Sequence, residues 1–298
     1  MHKPSAFAAI LLASLGAVAC FSAFSFRSSV SASAALPDDA PKAAEPAKPA
    51  SDPAKPDSDS AKPGAGAAAK DAPTAEATKK RPEQDPAKGS IEGRVTFEGP
   101  VPDVKGPVVP ESHQDHAACA AHVKQEKLIF SDKKELQDVV VSVANYKPAA
   151  KPEPGEIQLE NKGCTFFPHV QATVVGSVLK IKNSDAFLHN THGNLAAQFN
   201  VAVGPGQTVE KKLPRDGWVP VTCDFHNWMQ AHIKVFAHDL FDVTAKDGTF
   251  RIANVPPGEY DIDFWHEFPV AAGKQKIKVE AGKATRLDIA LKAVELKK

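Results

Sequence analysis

Short apolar or β-branched runs, cut at close intervals by turn residues, constrain this chain more than any other feature. They lie at 91–97, 139–143, 157–159, 170–175, 178–182, 199–203, 208–213, 218–222, 233–236, 250–252, 260–264, 276–279 and 286–291. Turn residues separate them, as in Gly204-Pro205-Gly206, Asp247-Gly248 and Pro256-Pro257-Gly258. Runs this short, with this punctuation, read as strands. Many in succession fold as a β-sandwich. The expected fold class is therefore all-β, mostly antiparallel. One helix is expected over 111–125, which is rich in Ala and free of Pro.

The strand signal begins only near residue 89. Residues 1–35 place His2 and Lys3 before an apolar stretch, Ala6 to Phe26, which is the layout of an export signal. Ala17-Val18-Ala19-Cys20 has the shape of a lipobox, making Cys20 a candidate for lipidation. Ala17-Val18-Ala19 and Ala32-Ser33-Ala34 equally fit simple cleavage, so a lipid anchor, secretion and an uncleaved anchor all stay open. The expected location is the periplasm or cell envelope.

Residues 36–88 are a tract of Ala, Pro, Lys, Asp and Ser that holds ten of the chain's 25 Pro residues. Large apolar side chains are almost absent, so nothing offsets the entropy of ordering it. It reads as a disordered tether with a reach of roughly 40 Å as a coil. A formal net charge of +0 gives no footprint for nucleic acid. No later segment is apolar enough to span a bilayer, so membrane contact is expected only through the N-terminus. A monomer is expected.

Within the β-rich part, Cys223-Asp224-Phe225-His226-Asn227-Trp228-Met229 sets a thiol, an imidazole and a thioether at three-residue steps. The chain has 2 Met, and the other is Met1. A second imidazole is available at His189, followed by Asn190. Two His and one Cys with a weak axial Met are the donors of a type 1 copper site. Zinc is the next reading, although it favours a harder fourth ligand than a thioether. Met229 as core filler and Cys223 in a disulfide are the plainer alternatives.

Around this motif stand Gly163-Cys164-x-Phe166-x-Pro168, Gly176 before Val178-Leu179-Lys180-Ile181-Lys182-Asn183, Asp185-x-x-x-His189-Asn190 and Phe199-Asn200. With Val221-x-Cys223-x-x-His226-x-x-Met229 they resemble the cupredoxin family, in its plastocyanin, pseudoazurin and amicyanin group. The resemblance implies a Greek-key sandwich over 146–240. It implies His189, Cys223, His226 and Met229 as ligands of one copper ion, with Asn190 pinning the ligand loop from behind. It also implies an exposed His226 edge as the electron port, with Phe187, Leu188, Phe225 and Trp228 around it.

A second resemblance covers 241–298. Thr244-x-x-Asp247-Gly248-x-Phe250-x-Ile252-x-x-Val255-Pro256-Pro257-Gly258-x-Tyr260 is similar to the carboxypeptidase regulatory-like, or transthyretin-like, β-sandwich. Gly89-Ser90-Ile91-Glu92-Gly93-Arg94-Val95 resembles that domain's first strand. The segment 89–145 either completes the C-terminal sandwich or stands apart, and both orders stay open. The combination resembles bacterial methylamine-utilisation-like proteins.

His113, His116, Cys119 and His122 recur at three-residue steps, which on a helix would share one face. They read as a second metal cluster or, preferably, as a Cys119–Cys164 disulfide with solvent-facing histidines. His192 and His232 are candidates for the rim of the copper site, and His266 receives no role. Three function classes follow: an exported one-electron carrier with a redox partner protein, a copper-delivery module without redox turnover, and an envelope structural or carbohydrate-binding protein. An enzyme is not expected, because no His-x-His pair, nucleophile elbow or H-E-x-x-H is present.

Overall fold

The computed structural model describes residues 83–273 and 275–294. The signal, Cys20 and most of the tether lie outside these residues. The strands in chain order are β1 (Gly89–Glu98), β2 (Val140–Val143), β3 (Glu156–Lys162), β4 (Thr165–Phe167), β5 (Val170–Val174) and β6 (Val178–Asn183). They continue with β7 (His189–Gly193), β8 (Phe199–Val203), β9 (Thr208–Lys212), β10 (Gly217–Thr222), β11 (Gln230–Phe236) and β12 (Phe241–Val243). The last are β13 (Thr249–Val255), β14 (Gly258–Trp265), β15 (Val270–Ala271), β16 (Gln275–Val279), β17 (Ala284–Arg286) and β18 (Ile289–Ala293). The all-β class expected from the run pattern holds.

Two sandwiches result. The first sets the sheet β5-β11-β10-β7-β8 against β4-β3-β6-β9. Alternation builds its core: along β6, Leu179 and Ile181 point inward and meet Leu159, Leu213, Val221 and Ile233. Pairing is mostly antiparallel, but β3 with β6 and β5 with β11 run parallel, so chain crossovers close both sheets. The second sandwich sets β13-β1-β18-β15 against β12-β2-β14-β16. Its core joins Ile91 and Val95 to Val141, Phe250, Ile252, Ile262 and Leu291.

Strands β1 and β2 therefore precede the first sandwich in the chain but hydrogen-bond within the second. Gly93 on β1 is required by close approach: a Cβ there would stand 1.8 Å from the Leu287 carbonyl oxygen. Gly248 closes the turn before β13 at φ +71, and its missing Cβ avoids the Val95 carbonyl. The sandwiches meet through Val140, Val170 and Phe236, with the tilted rings of Trp218 and Trp265 packed at 3.9 Å.

The helix expected over 111–125 shrinks to one turn, α1 (His116–Cys119). Asp115 stands at its N-cap but makes no side-chain cap, because its carboxylate is engaged elsewhere. Cys119 is held by a disulfide, and the chain turns away after it. Among the described residues no helix is long and apolar enough to cross a membrane.

Candidate metal centre

One end of the first sandwich gathers the donor atoms. Asn183, at the end of β6 and fully buried, donates to the Phe187 and Val203 carbonyls at 2.8 Å each. Its Oδ1 accepts the Asp185 N–H at 2.9 Å. That clamp shapes the turn into β7, whose first residue is His189. β7 is an interior strand between β10 and β8, so His189 enters the core rather than solvent. Cys223 follows directly on β10, and the tight loop to β11 brings back His226 and Met229. The Met229 N–H donates to the His226 carbonyl at 2.9 Å.

Cys223 Sγ lies 4.0 Å from His189 Nδ1 and 3.5 Å from His226 Nδ1. His189 and His226 are 0% exposed, and Cys223 and Met229 1%. Both rings turn Nδ1 to the sulfur and Nε2 away. His189 Nε2 meets Asp185 Oδ2 at 2.8 Å, and His226 Nε2 meets Asp115 Oδ2 at 3.0 Å. The backbone N–H groups of Gly163 and Cys164 donate to Asp185 at 2.7 and 3.0 Å, fixing that carboxylate in turn.

The electrostatics favour a thiolate. Burial pushes the Cys223 thiol up, but the His189 and His226 side chains and the backbone N–H groups of Asn190 and His226 outweigh it. The pKa falls from 9.0 to about 6. Burial lowers the His189 pKa, yet Asp185 and Cys223 raise it above the ordinary value. Burial raises Asp185, while His189 and the two backbone donors hold it below the usual carboxylate range. Burial raises Asp115 as well, but the hydrogen bonds to His226 and Gln114 and the nearby His113 together hold it low.

Asn190 pins the loop: its Oδ1 accepts the Asp224 N–H at 2.6 Å, and its Nδ2 donates to Asp224 Oδ2 at 2.9 Å. His192 lies outside the donor cluster, paired with Asp224 Oδ1 at 3.0 Å. His232 faces Glu267, away from the sulfur. His266 is buried, and its Nδ1 accepts the Phe268 N–H at 3.1 Å. Cys119 and Cys164 form a disulfide.

The three-step histidine series does not converge on a point. His116 Nδ1 turns to the Val109 and Pro110 carbonyls, and His122 is exposed. His113 instead packs on the His226 and Trp228 rings. The expected exposed edge of His226 is corrected as well. The segment carrying Asp115 covers it, although Leu188 and Phe225 remain 46% and 48% exposed beside it. Asp115 had no motif to mark it.

No family model and no curated protein matches the chain. Among solved structures it is similar to a copper-containing nitrite reductase from Thermus scotoductus, at 22% identity and TM-score 0.26. That likeness covers 32% of this chain and only 25% of the reductase, so the chain spans about a quarter of the reductase's length. It is also similar to a purple cupredoxin from Nitrosopumilus maritimus, at 20% identity and TM-score 0.24, over 26% of this chain and 98% of that one. A reduced amicyanin variant is 17% identical with TM-score 0.25, over 32% of this chain and 98% of that one.

Proposed function

We propose that this chain is an exported type 1 copper protein that carries single electrons. The observation behind the reading is the convergence of Cys223 Sγ with two imidazole Nδ1 atoms in a pocket closed to water. The donor set fits copper: thiolate and thioether suit the reduced ion, imidazole the oxidised one. His189, Cys223, His226 and Met229 are the residues that would hold the ion. Copper would supply the one-electron couple.

The chain's own residues supply the rest. Asp185 and Asp115 occupy Nε2 of the two rings, which leaves each Nδ1 free and fixes ring orientation. Backbone N–H groups of Asn190 and His226 stabilise negative charge on the sulfur. Asn183 and Asn190 lock the two loops, so the donors need little rearrangement on electron gain or loss. Leu188 and Phe225 form the apolar rim where a redox partner protein would dock.

The full chain loaded with copper(II) should give an intense thiolate-to-copper absorption band and narrow hyperfine splitting in electron paramagnetic resonance. Cys223→Ser should abolish both. Met229→Gln should shift the reduction potential while keeping the band. A pale spectrum typical of oxygen and nitrogen ligands in the unsubstituted protein would overturn the reading.

A further inference from the structure

A second cluster of metal-binding side chains lies where the two sandwiches meet. His169 immediately precedes β5, His232 sits on β11, and Glu267 follows β14. The His232 backbone N–H donates to the His169 carbonyl at 2.8 Å, which sets the two histidines side by side. His169 Nε2 reaches Glu267 Oε2 at 2.5 Å, and His232 Nε2 stands 3.5 Å from Oε1 of the same carboxylate. One donor atom from each residue falls within 4.8 Å of the others.

One ring nitrogen of each histidine is buried without a hydrogen bond. His169 is 8% exposed, and its Nδ1 is buried without a hydrogen bond; the Glu126 carboxylate is 3.8 Å away. His232 Nε2 is also buried, and its 3.5 Å approach to Glu267 does not make a hydrogen bond. Buried imidazoles normally find partners.

We propose that His169, His232 and Glu267 bind one divalent transition-metal ion of the zinc(II) or copper(II) class, which cross-links the two sandwiches. Two imidazoles and a carboxylate suit such ions, and the absence of thiolate and thioether separates this site from the one at Cys223. Zinc–nitrogen distances of about 2.0–2.1 Å place tetrahedral donors about 3.3 Å apart; the donors here lie within 4.8 Å of one another, and the short His169–Glu267 pair would open to admit the ion. Glu126 lies behind His169 on the Nδ1 side, where a carboxylate orients a metal-binding ring. Lys127, 3.8 Å from Glu267 Oε1, is half exposed and free to swing away. His169 and His232 belong to the first sandwich and Glu267 to the second, beside the packed Trp218–Trp265 pair.

The site is independent of the Cys223 reading, and cobalt(II) separates the two. The metal-free full chain is titrated with cobalt(II), alongside Cys223→Ser. The unsubstituted protein should take two equivalents, one with a thiolate-to-cobalt band. Cys223→Ser should keep one equivalent with weak visible bands and no thiolate band. Adding His232→Gln to Cys223→Ser should weaken that equivalent by more than the ~10–100-fold that loss of an orienting partner costs. Adding Glu267→Gln should do the same. Absence of cobalt binding by Cys223→Ser, or binding indifferent to both further changes, would overturn the proposal. If the double variants fail to fold, the thermal midpoint of Cys223→Ser decides: a rise with added zinc(II) supports the site, and no rise refutes it.

Discussion

Cys119 and Cys164, joined by a disulfide, stand next to the two carboxylates that hold the candidate metal-binding imidazoles. The Cys119 N–H donates to the Asp115 carbonyl at 3.0 Å, and the Asp115 side chain meets His226. The Cys164 N–H donates to Asp185, which meets His189. One covalent link thus fastens the segment over the centre to the turn beneath it.

Replacing both cysteines with serine should loosen that segment. The link closes a loop with a sequence separation of 45, which in the chain-entropy model is worth about 4 kcal/mol. Denaturant unfolding of metal-free protein should show a loss of that order. A loss below about 1 kcal/mol would mean that the link contributes little to the folded state.

Asp115→Ala should uncover His226 and free its Nε2. Loss of an orienting partner of this kind costs ~10–100-fold in metal affinity. Competition titration with a copper chelator should show a drop in that range. Asp115→Asn should cost less, since an amide oxygen still accepts from Nε2–H. Affinity unchanged in Asp115→Ala would show that the carboxylate does not orient the ring.

Metal-free protein should carry a thiolate at neutral pH. The Cys223 pKa is lowered from 9.0 to about 6, burial being outweighed by His189, His226 and two backbone donors. Ultraviolet thiolate absorbance should therefore vanish as pH falls through about 6, as a titration shared with His189. A depressed pKa stabilises the fold fully above pH 9.0, and that stability is lost as pH falls from there through about 6. His189→Ala should move the midpoint up toward 9.0. A wild-type midpoint already near 9.0 would count against the paired arrangement.

What could be read from the sequence divides by locality. Cys223, His226 and Met229 share one loop, so their spacing carried the signal. Apolar alternation marks β8 at both ends and most other strands to within a few residues. β7 escaped, since His-Asn-Thr-His-Gly has no apolar alternation; its inward residues serve the site. The helix expected over 111–125 exceeds the single turn His116–Cys119 for the converse reason. Ala-rich propensity is local, whereas Asp115 and Cys119 answer to partners elsewhere in the chain. Asp115 reaches His226 across 111 positions, and His169 reaches Glu267 across 98. No spacing rule spans such separations; only the crossed strands bring them together.

Asp138 makes a separate test of the junction between the sandwiches. It is 9% exposed and sits at φ 63, with Gln137 Nε2 donating to its Oδ2 at 3.0 Å. Burial raises its pKa from 3.8 to about 6, against the pull of His169 and Gln137. A carboxyl with a raised folded pKa leaves stability intact below the unfolded value and erodes it as pH rises through the folded one. Asp138→Asn removes that titration while keeping a residue that tolerates left-handed backbone. In metal-free protein the variant should match the parent near pH 3.8 and gain on it up to about pH 6. The gain at neutral pH should be on the order of 2–3 kcal/mol by urea unfolding. A gain independent of pH would show that Asp138 is ionised at no cost, and that the junction admits more water than its burial implies.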